Sequence, residues 1–255
     1  METGIPARLW EADTPGGPEV AFVRDSDVPR HLDTLPDGSE TLVIGDVEGA
    51  AESGHRQGQN DYGFLGTCGL CACEGVLRWF GVEVTEHDVV DHAVRNGLCH
   101  VSDVAAECGG TTMEQQARIL SDLGVPAAVV EYRSLEELAM MLEEGRAAII
   151  AANAGVLWND ADYWDYGQAN HAVRVTGVAR APATGGIQGF YINDSGTGQD
   201  ARFVSAADLT GGWLEAGGLA VVTDLVCTGR GDTIGTATDV AETAEQHQRA
   251  TRTTP

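Results

Sequence analysis

The stretch GTCGLCACEGVLRWFG, residues 66–81, places Cys68, Cys71 and Cys73 within six positions and then runs on as an apolar pattern of helical period. Three chemistries use cysteines in this way. Zinc would need four ligands, drawing Cys99, His100 or Cys108 to the cluster. Zinc knuckles hold paired cysteines in a tight turn, however, and Leu70, Val76, Leu77 and Phe80 ask for a half-buried helix. A redox Cys-x-x-Cys needs a strand ahead of it, whereas GHRQGQNDYGFLGT has the composition of a loop. A nucleophile needs one thiol at a helix N-terminus, where unpaired amides and the helix dipole favour the thiolate. Cys68 meets that demand, because Gly66, Thr67 and Gly69 let the chain turn tightly into the helix. No metal and no cofactor are therefore expected.

A thiol working near neutral pH needs a base to take its proton, and the base needs a third group to orient it. His171 opens the strand-like run HAVRVTGVAR, and Asn193 and Asp194 close GFYIND. Pairing of these runs as a hairpin across APATGG would bring His171 and Asp194 to one edge of a sheet, facing the start of the Cys68 helix. An oxyanion hole adds an amide donor to the nucleophile's own backbone N–H. Gln59 in GQNDYG is the favoured donor, with Gln57 two residues ahead of it as the alternative. The acidic, aromatic segment LWNDADYWDYG precedes His171, and Trp158, Asp162 and Trp164 within it are expected to touch substrate.

The elements that must position these groups are marked by caps and stops. The Cys68 helix ends at Gly81. Thr85 with Asp88, Thr112 with Gln115 and Ser134 with Glu137 are capping pairs that open three further helices. Beyond residue 146 the apolar period shortens to two, giving strands at 147–153, 171–180, 189–194 and 218–226. Helices followed by a mostly antiparallel sheet make an α+β fold. Residues 1–52, rich in Gly, Pro and acids with one strand at Thr41–Asp46, form an arm or pro-segment; residues 53–227 form the folded domain. Residues 228–255 have few large apolar side chains and are expected to be a disordered tail.

Thirty-nine acidic against fifteen basic residues give a formal charge of −24, which repels nucleic-acid phosphates and anionic membrane surfaces. Neither is an expected partner; a basic partner is compatible with the charge, as is a merely solubilising surface. No secretory signal or membrane span is evident, and six unevenly spaced cysteines do not resemble a secreted disulfide scaffold. A cytoplasmic protein with reduced thiols is expected. Nothing in the sequence sets an oligomeric state.

With these residues in view, CGLCACEGVLRWFG resembles the start of the double-glycine leader peptidases of bacteriocin processing, within the papain-like superfamily. GGTTMEQQARILSDLG, SLEELAMMLEEGRAAIIAAN, NHAVRVTGV and YINDSGTG resemble that family's later landmarks in the same order. The resemblance implies a papain-like fold with Cys68 as nucleophile, His171 as base and then acid, Asp194 as orienting residue and Gln59 as oxyanion donor. Two features depart from the family: Ser195 stands where proline is usual, and Gln59 lies nine residues before Cys68, a longer gap than usual. Aligning GTCGLCA with the Gly-Ser-Cys-Gly-Ser-Cys-Trp of papain would instead make Cys71 the nucleophile, with Ala72 in place of the tryptophan. The implied activity is that of a stand-alone thiol peptidase, cleaving a basic or Gly-rich peptide through a Cys68 thioester. The alternatives are an acyl transferase or amide-forming enzyme on a peptide or carrier-bound acyl substrate, and a non-catalytic peptide-binding module.

Overall fold

The computed structural model describes residues 28–227, in which the period-two runs become strands β1 (Arg30–Thr34), β2 (Glu40–Ile44), β3 (Ala127–Glu131), β4 (Ala148–Ala152), β5 (His171–Arg180), β6 (Ile187–Asp194), β7 (Gln199–Ser205) and β8 (Leu219–Thr223). Every pairing among them is antiparallel. β5 is the hub. Its first half pairs with β4 from His171 to Val175 and its last residues pair with β2, while β6 lies along the other edge and carries β7. β8 then bridges β4 to the edge strand β3.

The helices are α1 (Val47–Ala51), α2 (Cys68–Trp79), α3 (Glu86–Asn96), α4 (Met113–Asp122), α5 (Leu135–Glu143), α6 (Ala154–Trp158) and α7 (Ala206–Leu209). Thr85, Thr112 and Ser134 each accept from the backbone N–H three residues on, and the side chains of Asp88, Gln115 and Glu137 reach back to complete the capping boxes. The strands alternate between two apolar layers. Ile149, Ala172 and Val221 pack with α2, α3 and α4 on one face of the sheet. Ile150, Val173 and Val175 pack with Leu138 and Leu142 of α5 and with Trp213 on the other. The chain is thus α+β, with helices against an antiparallel sheet.

The expected arm does not stand apart from residue 30 onward. β1 and β2 form a hairpin, and β2 continues the sheet through Leu42–Ile44 against Val178–Arg180. The reason is burial: Val43 and Val47 close over Ala179 and Tyr191, and Ile44 joins the core of the α5 face. Residues 1–27 of that arm and the tail at 228–255 lie outside the described residues. β3 and β7 were not legible beforehand, since the one is a half-exposed edge strand and the other, QDARFVS, is mostly polar. Among the described residues no helix is long and apolar enough to cross a membrane.

Candidate active site

Cys68 is the first residue of α2, and its half-buried thiol sits where the N-terminal amides have no intrahelical acceptor. Gly69 lets this helix end sit against the start of α4: a Cβ there would lie 2.2 Å from Thr111 Oγ1 and 2.5 Å from Gln116 Nε2. His171 begins β5 and is buried, paired across the sheet with Ala152. Its Nε2 lies 2.8 Å from Asp194 Oδ1, and the residue lines the same cleft as Cys68. The imidazole thus stands at the thiol's cleft with a carboxylate on one nitrogen.

Asp194 closes β6 and is wholly buried. Its Oδ1 also accepts from the Gly196 N–H at 3.0 Å, and its Oδ2 accepts from Trp158 Nε1 at 2.7 Å and Arg202 Nη1 at 3.4 Å. The Arg202 guanidinium in turn donates to the Leu157 carbonyl. Strand alternation sends the neighbouring Asn193 elsewhere, where it bonds the Ala50 carbonyl and the Ala201 N–H. Gly196 leaves room for the arrangement, since a Cβ there would stand 2.6 Å from the Trp158 ring and 3.0 Å from His171 Cε1.

These contacts set the protonation states. Burial alone would lower the His171 pKa, but the hydrogen bond to Asp194, followed by the hydrogen bond and charge of Cys68, outweighs it and holds the imidazole up at about 9. Burial would raise the Cys68 pKa; the hydrogen bond and charge of His171, with the backbone N–H groups of Ala172 and Gly69, bring it below the ordinary thiol value. Asp194 is likewise held low, its burial outweighed by His171, Trp158 and the Gly196 amide. Both shifts run in the direction that favours a thiolate beside an imidazolium. Cys71, by contrast, is pushed up by burial and by the nearby carboxylate of Glu86, and Cys73 by burial alone.

The expected oxyanion donor, Gln59, does not line the cleft that holds Cys68. Gln59 is exposed, and its side chain donates to the Arg56 carbonyl at 3.1 Å, away from the thiol. Gln57 lines the cleft with Cys68 and His171. Its Oε1 accepts from the Ser195 hydroxyl at 3.1 Å, and one of its amide N–H groups goes to the Leu65 carbonyl at 2.6 Å, which leaves the second for the cleft. Ser195 thus ties Gln57 to the strand that ends in Asp194. Which of two glutamines in one loop faces inward depends on backbone geometry that composition does not encode.

The three expected substrate contacts separate. Trp158 lines the cleft of about 590 Å³ that holds Cys68, and a second cavity of about 710 Å³ on its other side. Its ring packs edge-on to His171 with centroids 5.1 Å apart. Trp164 lines only the second cavity of the two, and Asp162 is exposed and lines neither. Tyr163, part of the same aromatic segment but not among the three expected contacts, joins Trp158 in the cleft.

Two further residues organise the site without having stood out in the sequence. Buried Glu86 accepts from Thr67 Oγ1 at 2.7 Å, from the Gly58 and Gln59 amides at 2.9 and 2.8 Å, and from Asn60 Nδ2 at 2.9 Å. It thereby fixes both the residue before Cys68 and the loop that carries Gln57. Buried Asn153 holds the aromatic loop by donating to the carbonyls of Trp164 and Gln168 at 2.6 and 2.7 Å. A buried acid beside a capping threonine, and an asparagine ahead of a short helix, were the available signals.

No family model matches the chain, and no curated protein matches it. Among solved structures, the chain is similar to a candidate C39-like peptidase from Bacillus anthracis, with 16% identity over 61% of this chain and 87% of the other and a TM-score of 0.45. A likeness so remote decides neither the fold family nor the chemistry, which rest on the residues themselves.

Proposed function

We propose that the chain is a papain-like cysteine peptidase acting on a peptide through a Cys68 thioester. The observation that carries the reading is the single imidazole of His171, bonded to Asp194 at 2.8 Å through one nitrogen and lining the same cleft as the Cys68 thiol. The Cys68 thiolate attacks the scissile carbonyl, and the oxyanion is stabilised by the Cys68 backbone N–H and the free N–H of Gln57. The His171 imidazolium gives its proton to the leaving amine, the C–N bond breaks and the thioester remains. His171, now neutral, takes a proton from water as the water attacks, and the thiolate departs with the acid product released. An amine in place of water would give an amide by the same steps.

The excess of acidic residues and the cleft's aromatic wall at Trp158 and Tyr163 favour a basic or apolar peptide; a glycine-rich leader-type segment is the finer form of the same reading. Retention of both the thiol and its base weighs against a binding module without catalysis. The test is alkylation by a peptide-directed thiol electrophile, followed by mass spectrometry of peptides incubated with the protein. Fast, pH-dependent labelling at Cys68 that disappears in His171→Ala, with cleaved peptide products, supports the proposal. A Cys68 that reacts no faster than a free thiol would overturn it.

A further inference from the structure

Behind the catalytic helix lies a second cluster of ligating side chains that the proposed chemistry does not use. His55, in the loop after α1, points its Nε2 at the α2 face carrying Cys71 and Glu74, one helical turn apart. That nitrogen stands 3.6 Å from Cys71 Sγ, 3.4 Å from Glu74 Oε2 and 3.0 Å from Glu86 Oε2. An imidazole nitrogen carries at most one hydrogen and can serve only one of these three atoms. Glu86 needs it least, since four other donors already reach that carboxylate. Glu74 is the group left short: its side chain is 4% exposed, Arg78 reaches only Oε1 at 3.4 Å, and Oε2 has no hydrogen-bond donor. That buried oxygen, beside a histidine and a thiol and with no hydrogen bond of its own, is a position that a metal ion can complete.

The spacing fits one. A tetrahedral zinc ion with bonds of about 2.0–2.1 Å to nitrogen and oxygen and about 2.3 Å to sulfur has N–O edges of about 3.4 Å and N–S edges of about 3.6 Å. These match the distances from His55 to Glu74 and to Cys71. The ligating atoms of all three residues lie within 4.8 Å of one another, and the His55 side chain, 18% exposed, leaves a route from solvent. We propose that His55, Cys71 and Glu74 form a binding site for one thiophilic divalent cation, zinc(II) foremost. Thiolate with imidazole selects zinc over magnesium or calcium, and a neutral imidazole, a thiolate and a carboxylate together neutralise the ion's charge. Binding forms a Zn–S bond and releases the Cys71 proton to solvent. The ion would clip the loop that carries Gln57 to the helix that begins with Cys68, a structural role separate from the reaction. This departs from the sequence expectation of no metal, which considered Cys99, His100 and Cys108 rather than His55 and Glu74.

The test is cobalt(II) titration of the chelator-stripped full chain, read by the intense near-ultraviolet thiolate-to-cobalt band, with zinc content of the untreated protein measured alongside. Expected are a band saturating at one equivalent in the wild-type chain and in Cys68→Ser, its loss in Cys71→Ser, and at least a tenfold weaker affinity in Glu74→Gln. His55→Gln, expected to lose the site as well, stands in if Cys71→Ser does not fold. No band in the wild-type chain, a band that survives Cys71→Ser in folded protein, or one abolished by Cys68→Ser would overturn the proposal. The last outcome would place the ion in the catalytic cleft. Alkylation of Cys68 needs no metal, so failure here leaves the peptidase reading standing.

Discussion

Trp158 donates its indole N–H to Asp194 Oδ2 at 2.7 Å, on the carboxylate oxygen that His171 does not use, while its ring packs against His171 itself. The tryptophan therefore positions both members of the His171–Asp194 pair from one side. Trp158→Phe keeps a ring against His171 and removes only the hydrogen bond to a buried charge, which is worth about 1.5 kcal/mol. The expected result is a loss of about tenfold in kcat with KM little changed. Trp158→Ala, which removes the packing too, should lose more. Equal losses in both variants, confined to KM, would make Trp158 a substrate contact instead.

The nucleophile assignment rests on the opposite environments of two thiols one helical turn apart. A substoichiometric electrophile at neutral pH should modify Cys68 alone, because His171 favours its thiolate while burial and Glu86 disfavour that of Cys71. Peptide mapping by mass spectrometry reads the site directly. Modification at Cys71 would reverse the assignment, and Cys68→Ala should retain no turnover.

The ion pair sets a bell-shaped profile. Activity should rise through an acid limb below the ordinary thiol value of about 8.5, as Cys68 becomes a thiolate, and fall as His171 loses its proton near about 9. The same pair affects folding. The folded pKa of His171 lies above its unfolded value, so its contribution to stability is complete below about 6.5 and is lost as pH rises through about 9. For Asp194 the folded value is the lower one, so its contribution is present above the unfolded carboxylate value and is lost as pH falls through the folded one. Asp194→Asn should pull the alkaline limb down; a limb that stays in place would show that the carboxylate does not act through His171.

Gln57 and Gln59 give a paired test. Gln57→Ala should lower kcat by about a hundredfold, the usual cost of one oxyanion donor, whereas Gln59→Ala should stay within about twofold, its side chain being turned to solvent. Ser195→Ala frees the Gln57 carbonyl oxygen and should cost a few-fold in kcat. A larger effect at Gln59 would restore the assignment made on sequence.

Glu86→Ala leaves Thr67, Asn60 and two loop amides without their acceptor. Loss of such a buried network costs about 3 kcal/mol, seen as a melting temperature lower by about 10 °C. Unchanged melting would mean that water replaces the carboxylate at no cost.

Much of this was written in local pattern. The three capping boxes, the glycine stop of the Cys68 helix and the hairpin across APATGG each depend on residues within a few positions of one another, and each stands where the pattern put it. His171 and Asp194 were also legible, because antiparallel pairing joins the start of one strand to the end of the next. The strand at Thr41–Asp46 was assigned to an arm, and β1 was not read as a strand, because a short run of alternating residues looks the same whether or not Ala179 and Tyr191 are waiting to cover it.

The sequence by itself determined the residue types and their order: one thiol at a helix start, one histidine and one acid at facing strand ends, and an excess of acidic residues. Only the tertiary structure decided which glutamine lines the cleft with Cys68, that Trp158 serves Asp194 as well as the cleft, and that His55 meets Cys71 and Glu74. The physical reason is range. Caps, turns and strand periods follow from neighbouring residues, whereas a side chain's partner across the core is set by how loop, helix and sheet pack together.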